Sequence, residues 1–299
     1  MNTANPKITP NQPCAVLVVG HGTRKPAGAD QLRTLVAHMQ AIEPQWHIYP
    51  SFLELAEPTI EQAMKSIASD GLKQVLLVPI LLFSAAHAKS DIPDAAQASA
   101  DSLNIEILGQ TPSLGTAASI LELSNQRFVE MIEQATRVGC VPGHCGTGVQ
   151  PTNYHPNTTC EPCPLIGVRP ERIALAMVGR GTSDPTALEH MLELTRLVSL
   201  QRSVHWVNTG FFAGGHTTVD DLLESAASAT AQDQDCDTIL VQPHLLFEGE
   251  LMDQLRRKVR SMRTKYPEKN WILARTLGAD RKLAEVFLQF VRDSWANLI

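Results

Sequence analysis

Three residues able to bind a metal ion, His21, Glu54 and His87, stand behind successive apolar runs, and all three are missing from a second copy of the same pattern. Neutral imidazole is a good donor to divalent transition metals near neutral pH and can also take up or release a proton. A glutamate carboxylate either ligates a hard or borderline ion or receives protons from a bound substrate. Taken singly, each has a plainer reading: a loop histidine bonded to a carbonyl, a surface carboxylate, and a helix-entry histidine. The repeat weighs against those readings.

The first copy runs Ala15-Val-Leu-Val-Val-Gly20-His21-Gly22-Thr23-Arg24, and the second runs Ala174-Leu-Ala-Met-Val-Gly179-Arg180-Gly181-Thr182-Ser183. Ser51-Phe-Leu-Glu54 is echoed by Gly210-Phe-Phe-Ala213, and Val75-Leu-Leu-Val-Pro79-Ile-Leu-Leu-Phe83 by Ile239-Leu-Val-Gln-Pro243-His-Leu-Leu-Phe247. The offset is 159 residues at the first two pairings and 164 at the third. His21 thus aligns with Arg180, Glu54 with Ala213 and His87 with about Leu251. Gly20 and Gly22 let the backbone turn sharply and a ligand approach closely. A framework kept twice but stripped of His, Glu and His in one copy implies that these three act together. His216 and His244, near the second rim, read as ordinary loop histidines.

The elements that must position these residues follow from the apolar pattern. Short runs rich in Val, Ile and Leu, at Ala15 to Val19, Val75 to Val78, Ile173 to Val178 and Thr238 to Val241, read as strands buried on both faces of a parallel sheet. Between them, helical spacing covers Asp30 to Ile42, Ile60 to Ser69, Leu114 to Arg137, Pro185 to Leu200, Val219 to Thr230, Leu251 to Tyr266 and Arg281 to Leu298. This alternation predicts an α/β fold with right-handed crossovers, two tandem flavodoxin- or Rossmann-like three-layer domains. Ligands of such sheets sit outside the carboxyl ends of the strands. His21 after strand one, Glu54 ending strand two and His87 in the loop after strand three, ahead of a helix capped by Ser90 or Asp91, are therefore expected on one rim.

At 299 residues the chain suits two domains, each long enough to bury a core of its own. The expected division is 1–138, a linker insertion at 139–170, and 171–299. With 43% hydrophobic and 19% charged residues the composition is that of a globular protein, and no apolar run approaches a membrane span or a secretion signal. A cytoplasmic enzyme is the expectation. The net charge of −6 and the lack of a basic stripe argue against nucleic acid as a partner. An anionic ligand would need local cations, for which Arg24, Lys25, Lys89 and, from the second half, Arg180 are candidates.

Between the copies, Gly139 to Pro170 carries six Pro, five Gly and four of the six cysteines. Cys140, Cys145, Cys160 and Cys163 form C-x4-C-x14-C-x2-C, which in a cytosolic chain favours a metal knuckle over disulfides. Zinc, an iron-sulfur cluster and free thiols all stay open. Cys14 and Cys236 read as small buried apolar residues.

Gly20-His21-Gly-Thr-Arg24, Phe52-Leu-Glu54-Leu-Ala-Glu-Pro58 and Val78-Pro-Ile-Leu-Leu-Phe-Ser-Ala-Ala-His87 together resemble the CbiX/SirB sirohydrochlorin chelatases, class II tetrapyrrole chelatases, over roughly residues 14 to 135. The second half resembles the same domain more weakly. The resemblance implies two chelatase-like domains related by a pseudo-two-fold, a fused dimer in one monomeric chain with one surviving site. It implies that His21, Glu54 and His87 bind the incoming metal and assist its insertion into sirohydrochlorin, for cobalamin or siroheme. Cobalt, iron and nickel all suit such a ligand set. Sirohydrochlorin is rich in carboxylates, and Arg24, Lys89, Ser84 and Arg180 are the residues placed to contact it. Two rivals remain: a metal or tetrapyrrole carrier without turnover, and a histidine phosphatase. The latter is disfavoured because Gly20 stands where its pattern has arginine.

Overall fold

Six consecutive buried residues, Ala15 to Gly20, form the first strand, and their alternation decides the architecture around it. Val16 and Val18 point into one hydrophobic cluster while Ala15, Leu17 and Val19 point into another, so both faces of the strand need a helical layer. The computed structural model describes residues 14–83, 86–138, 172–202, 204–214, 217–231, 236 and 238–298. Within them the order is β1 (Ala15–Gly20), α1 (Pro26–Ile42), β2 (His47–Phe52), α2 (Ile60–Ser69), β3 (Gln74–Pro79), α3 (Ala86–Leu103), β4 (Glu106–Gln110) and α4 (Ala118–Val138). The second half repeats it: β5 (Ile173–Gly179), α5 (Pro185–Leu200), β6 (Trp206–Phe211), α6 (Val219–Ala231), β7 (Thr238–Pro243), α7 (Glu250–Lys265), β8 (Asn270–Leu273) and α8 (Arg281–Leu298).

Both sheets are parallel, with strand orders β2-β1-β3-β4 and β6-β5-β7-β8. The predicted α/β class and the tandem repeat are therefore observed, down to register. Ala15 pairs with His47 and Val75, and Ala174, 159 residues on, pairs with Trp206 and Ile239. Local chemistry repeats as well. Pro26 and Pro185 open α1 and α5, where the missing amide would have had no helical acceptor. Thr59 caps α2 by accepting from the Gln62 amide, as Thr218 accepts from the Asp221 amide at α6.

One expectation is corrected. His87 does not lie in a loop: α3 already starts at Ala86, and Ser90 and Asp91 are inside the helix, not at its cap. Its sister α7 starts at Glu250, 164 residues later, so the helix begins where the repeat requires, and Pro93 is accommodated within it. Each half buries a cluster of its own, and a third cluster is shared between them. The shared cluster runs from Val16 and Leu35 of the first half to Leu175 and Phe287 of the second.

The cause is an exchange of last helices. α4 packs against α5, β7 and β8 of the second half, and α8 packs against α1, β3 and β4 of the first. Polar contacts fix the exchange: the Gln242 amide donates to the Ser124 carbonyl and hydroxyl at 2.9 Å. Arg127, only 1% exposed, donates from α4 to the Leu277 carbonyl at 2.7 Å and to Asp280 at 2.7 Å. Glu130, on the same helix, accepts from Arg127 and from Arg275. Burial alone would raise its carboxyl, but the Arg275 hydrogen bond and the Arg127 charge outweigh this and hold it below the usual range. No helix among the described residues is long and apolar enough to cross a membrane.

Candidate metal-binding cleft

The carboxyl ends of both sheets open onto one cleft of about 1430 Å³ between the halves. That exceeds the roughly 300–1,000 Å³ of a typical small-ligand pocket and suits a large flat molecule. On one wall are His21, Glu54 and Asp91; on the other, Arg180, Ala213 and His244.

The first wall is built by a tight backbone clasp. Leu53 N donates to Gly20 O at 2.9 Å and Glu54 N to His21 O at 3.0 Å, so the segment after β2 is stitched to the one after β1. Gly22 makes the clasp possible. Its φ is +101°, and a Cβ there would lie 1.7 Å from the Glu54 carbonyl oxygen. The clasp brings His21 Nε2 within 3.3 Å of Glu54 Oε1, both side chains about half exposed to the cleft. The second wall repeats the clasp without the chemistry. Ala213 N donates to Arg180 O at 3.2 Å, and Gly181, at φ +82°, would put a Cβ 1.6 Å from Ala213 O.

His21 is held below its ordinary pKa, first by burial and then by the Arg180 guanidinium across the cleft, with Glu54 and Asp91 pulling the other way. It is therefore a neutral donor at neutral pH, the form a metal needs. Glu54 places a carboxylate oxygen at the same point of the cleft. Among the described residues no three His, Cys, Asp or Glu side chains gather closely enough to hold an ion, and the pair His21–Glu54 is the described part of the predicted set. His87 is the second residue of α3, as Leu251 is of α7. The His87 side chain lies outside the described residues, as do those of Ser84 and Lys89. Cys140, Cys145, Cys160, Cys163 and His216 lie outside them too.

Of the predicted cations, Arg24 and Arg180 line the cleft. Lys25 does not: it reaches across the halves to Asp253 at 2.8 Å and helps to hold them together. Gly28 serves the same junction, since a Cβ there would meet the Glu248 carbonyl oxygen at 2.3 Å. Cys236 is buried, as expected, while Cys14 is only partly buried, its thiol pushed up to about 11 by desolvation. Two cleft residues escaped the sequence reading. Asp91 lies within α3 and lines the cleft, where the sequence suggests only a helix cap. His244 was read as a loop histidine, yet it is 2% exposed in the cleft wall; the signal was the replacement of Ile80 by histidine in an otherwise apolar repeat.

The family profile of CbiX matches residues 15–131 and 174–294, one stretch in each half. The sirohydrochlorin ferrochelatase of Priestia megaterium is 28% identical over 282 residues, covering 93% of this chain and 89% of that protein. The sirohydrochlorin cobaltochelatase of Priestia megaterium is 23% identical over 277 residues, covering 91% and 77%. The structure of SirB from Bacillus subtilis with Fe3+ shares the fold at a TM-score of 0.71 and 24% identity, covering 96% of this chain and 97% of that one. With both halves matched, and the repeat's glycine clasps and parallel sheets in place, this chain belongs to the CbiX family.

Proposed function

We propose that this protein is a sirohydrochlorin chelatase that inserts a divalent metal, cobalt or iron, into the tetrapyrrole for cobalamin or siroheme synthesis. The observation that carries the reading is the His21–Glu54 pair, 3.3 Å apart on one wall of a cleft large enough for a macrocycle, opposite a sister wall that has the same clasp and no ligands. His87, on the first turn of α3, completes the ligand set.

Metallation replaces two pyrrole protons by one divalent ion, so the site must give up its metal and collect protons. A few imidazole and carboxylate ligands on one side of the ion leave its other face to the macrocycle nitrogens. As those nitrogens take the metal, Nε2 of His21 and the Glu54 carboxylate are freed, and each can then accept a proton. The low pKa of His21 keeps it ready for the ion. Arg180 and Arg24, which line the cleft, meet the carboxylates of the substrate in this reading, and Ser84 and Lys89 are assigned to the same task from the sequence alone. In this reading 1–138 is the ligand-bearing half, 171–299 supplies the opposing wall, and the chain acts in the cytoplasm as a monomer that is its own dimer. For the four cysteines of 139–170, which lie outside the described residues, the alternatives are zinc, an iron-sulfur cluster and free thiols. Metal analysis and visible absorption of the purified protein tell these apart, and a metal or cluster signal should be lost in the Cys160→Ala variant.

The central test mixes protein, sirohydrochlorin and Co2+ or Fe2+ and follows the absorption change on metallation. The parent should accelerate insertion, while His21→Ala and Glu54→Ala should not. Stoichiometric ligand uptake with no acceleration by the parent would make the protein a carrier instead.

A further inference from the structure

His244 occupies a position at which the fold asks for an apolar side chain. Its amide donates to Val178 O at 2.8 Å, just as the Ile80 amide donates to Val19 O at 2.8 Å in the sister half. Ile80 fills this place with hydrocarbon, 4% exposed; His244 fills it with an imidazole, 2% exposed. Neither ring nitrogen of His244 meets a hydrogen-bond partner among the described residues. Phe83 from the opposite half has its ring centroid 5.8 Å away, tilted by 39°. A buried polar group with no partner destabilises a fold, whereas the isoleucine of the sister half would not. The residue therefore calls for a partner from outside the chain.

The surroundings say what kind. His244 and Arg180 both line the cleft. They follow directly on adjacent strands, since Val178 of β5 is in register with Pro243 of β7, and neighbouring strands lie about 4.8 Å apart. A neutral imidazole presents one N–H donor and one lone pair. Burial keeps His244 neutral, its pKa lowered to about 3. A donor without charge on the same cleft wall as an exposed guanidinium suits one carboxylate reaching both: the guanidinium brings the charge and the imidazole fixes the geometry.

We propose that His244 is a substrate-binding residue, donating a hydrogen bond to a peripheral carboxylate of the macrocycle that Arg180 also engages, and so anchoring the substrate on the wall opposite His21 and Glu54. This rests on the tetrapyrrole reading of the cleft. It gives the second half a positive role in recognition, one that its loss of metal ligands alone does not explain.

The experiment measures binding of metal-free sirohydrochlorin by absorption or fluorescence titration, with thermal unfolding of the same samples. His244→Leu puts hydrocarbon here as Ile80 does in the sister half, so its Tm should rise while its Kd for the macrocycle weakens about tenfold or more. His244→Gln, which keeps a donor, should recover part of the affinity. Combined with Arg180→Leu, the loss should fall short of the product of the two single losses, because both side chains hold one group. A merely structural histidine would move Tm and leave Kd alone. The inference is overturned if His244→Leu binds within twofold of the parent, or if the double variant is strictly multiplicative. A parent that binds the macrocycle without accelerating metallation would refute the enzyme reading and leave this comparison valid. A parent that does not bind it at all would overturn both.

Discussion

Gly22→Ala and Gly181→Ala inflict the same injury on the two halves, and only one half should lose its chemistry. At Gly22 the new Cβ would stand 1.7 Å from the Glu54 carbonyl oxygen, and at Gly181 1.6 Å from that of Ala213. To reach ordinary van der Waals contact each clasp must open by roughly 1.5 Å or more. Both residues also hold a positive φ, +101° and +82°, that costs an alanine about 1–2 kcal/mol. With about 1–3 kcal/mol for forcing packed backbone apart, each variant should lose about 2–5 kcal/mol of stability. At about 2–4 °C per kcal/mol for a protein of this size, that is a fall in Tm of roughly 5–20 °C for both. Activity should separate them. Opening the first clasp moves His21 and Glu54 apart, and a displacement of about 1 Å at reacting groups costs on the order of 100-fold. Gly181→Ala moves Arg180 and Ala213 instead, so it should raise KM for the tetrapyrrole but keep kcat within about tenfold. The assay is metallation followed by absorption, at a temperature below both transitions, alongside thermal unfolding. Equal losses of kcat in two equally folded variants would refute the argument that chemistry resides in one clasp.

Three other outcomes are expected. Arg180→Leu removes a cation that lowers the His21 pKa, so that pKa should rise and the acid limb of the metallation pH profile should move to higher pH; an unmoved limb would mean that Arg180 does not act on His21. Arg127→Met leaves the buried Leu277 carbonyl and the Asp280 carboxylate without their donor, and should cost about 3–5 kcal/mol in urea unfolding; a change under about 1 kcal/mol would show that the exchanged helices do not rely on this residue. His244 titrates near 3 when folded and near 6.5 when unfolded, so between those values the unfolded chain binds more protons and stability falls as pH falls, by up to about 1.4 kcal/mol per unit. His244→Leu should flatten that slope between pH 6 and 4; an unchanged slope would place the acid sensitivity elsewhere.

Much of the fold was legible because its signals are local. Ala15 to Val19 and Ile173 to Val178 can only be doubly buried strands, and the Gly-His21-Gly and Gly-Arg180-Gly turns mark where each strand stops. The repeat also singled out His21 and Glu54 before any distance was known, since an aligned loss of ligands is visible in the letters. The start of α3 was missed because Ser90, Asp91 and Pro93 look like a helix entry, and only the position of β3 against its sister β7 shows that the chain has already turned into a helix at Ala86.

The order of residues determined the duplication, the parallel α/β halves and the pairing of an imidazole with a carboxylate, because each depends on neighbours in sequence or on comparison of one copy with the other. Tertiary structure decided what depends on approach between distant segments. It exchanged α4 and α8, so that one core joins both halves and Arg127 reaches Leu277 and Asp280. It set Arg180 near enough to His21 to lower its pKa, and it buried His244 in the cleft wall with Phe83 of the other half nearby. None of these is written in a local pattern, since burial and electrostatic coupling are properties of the space between segments and no residue carries that space in its own type.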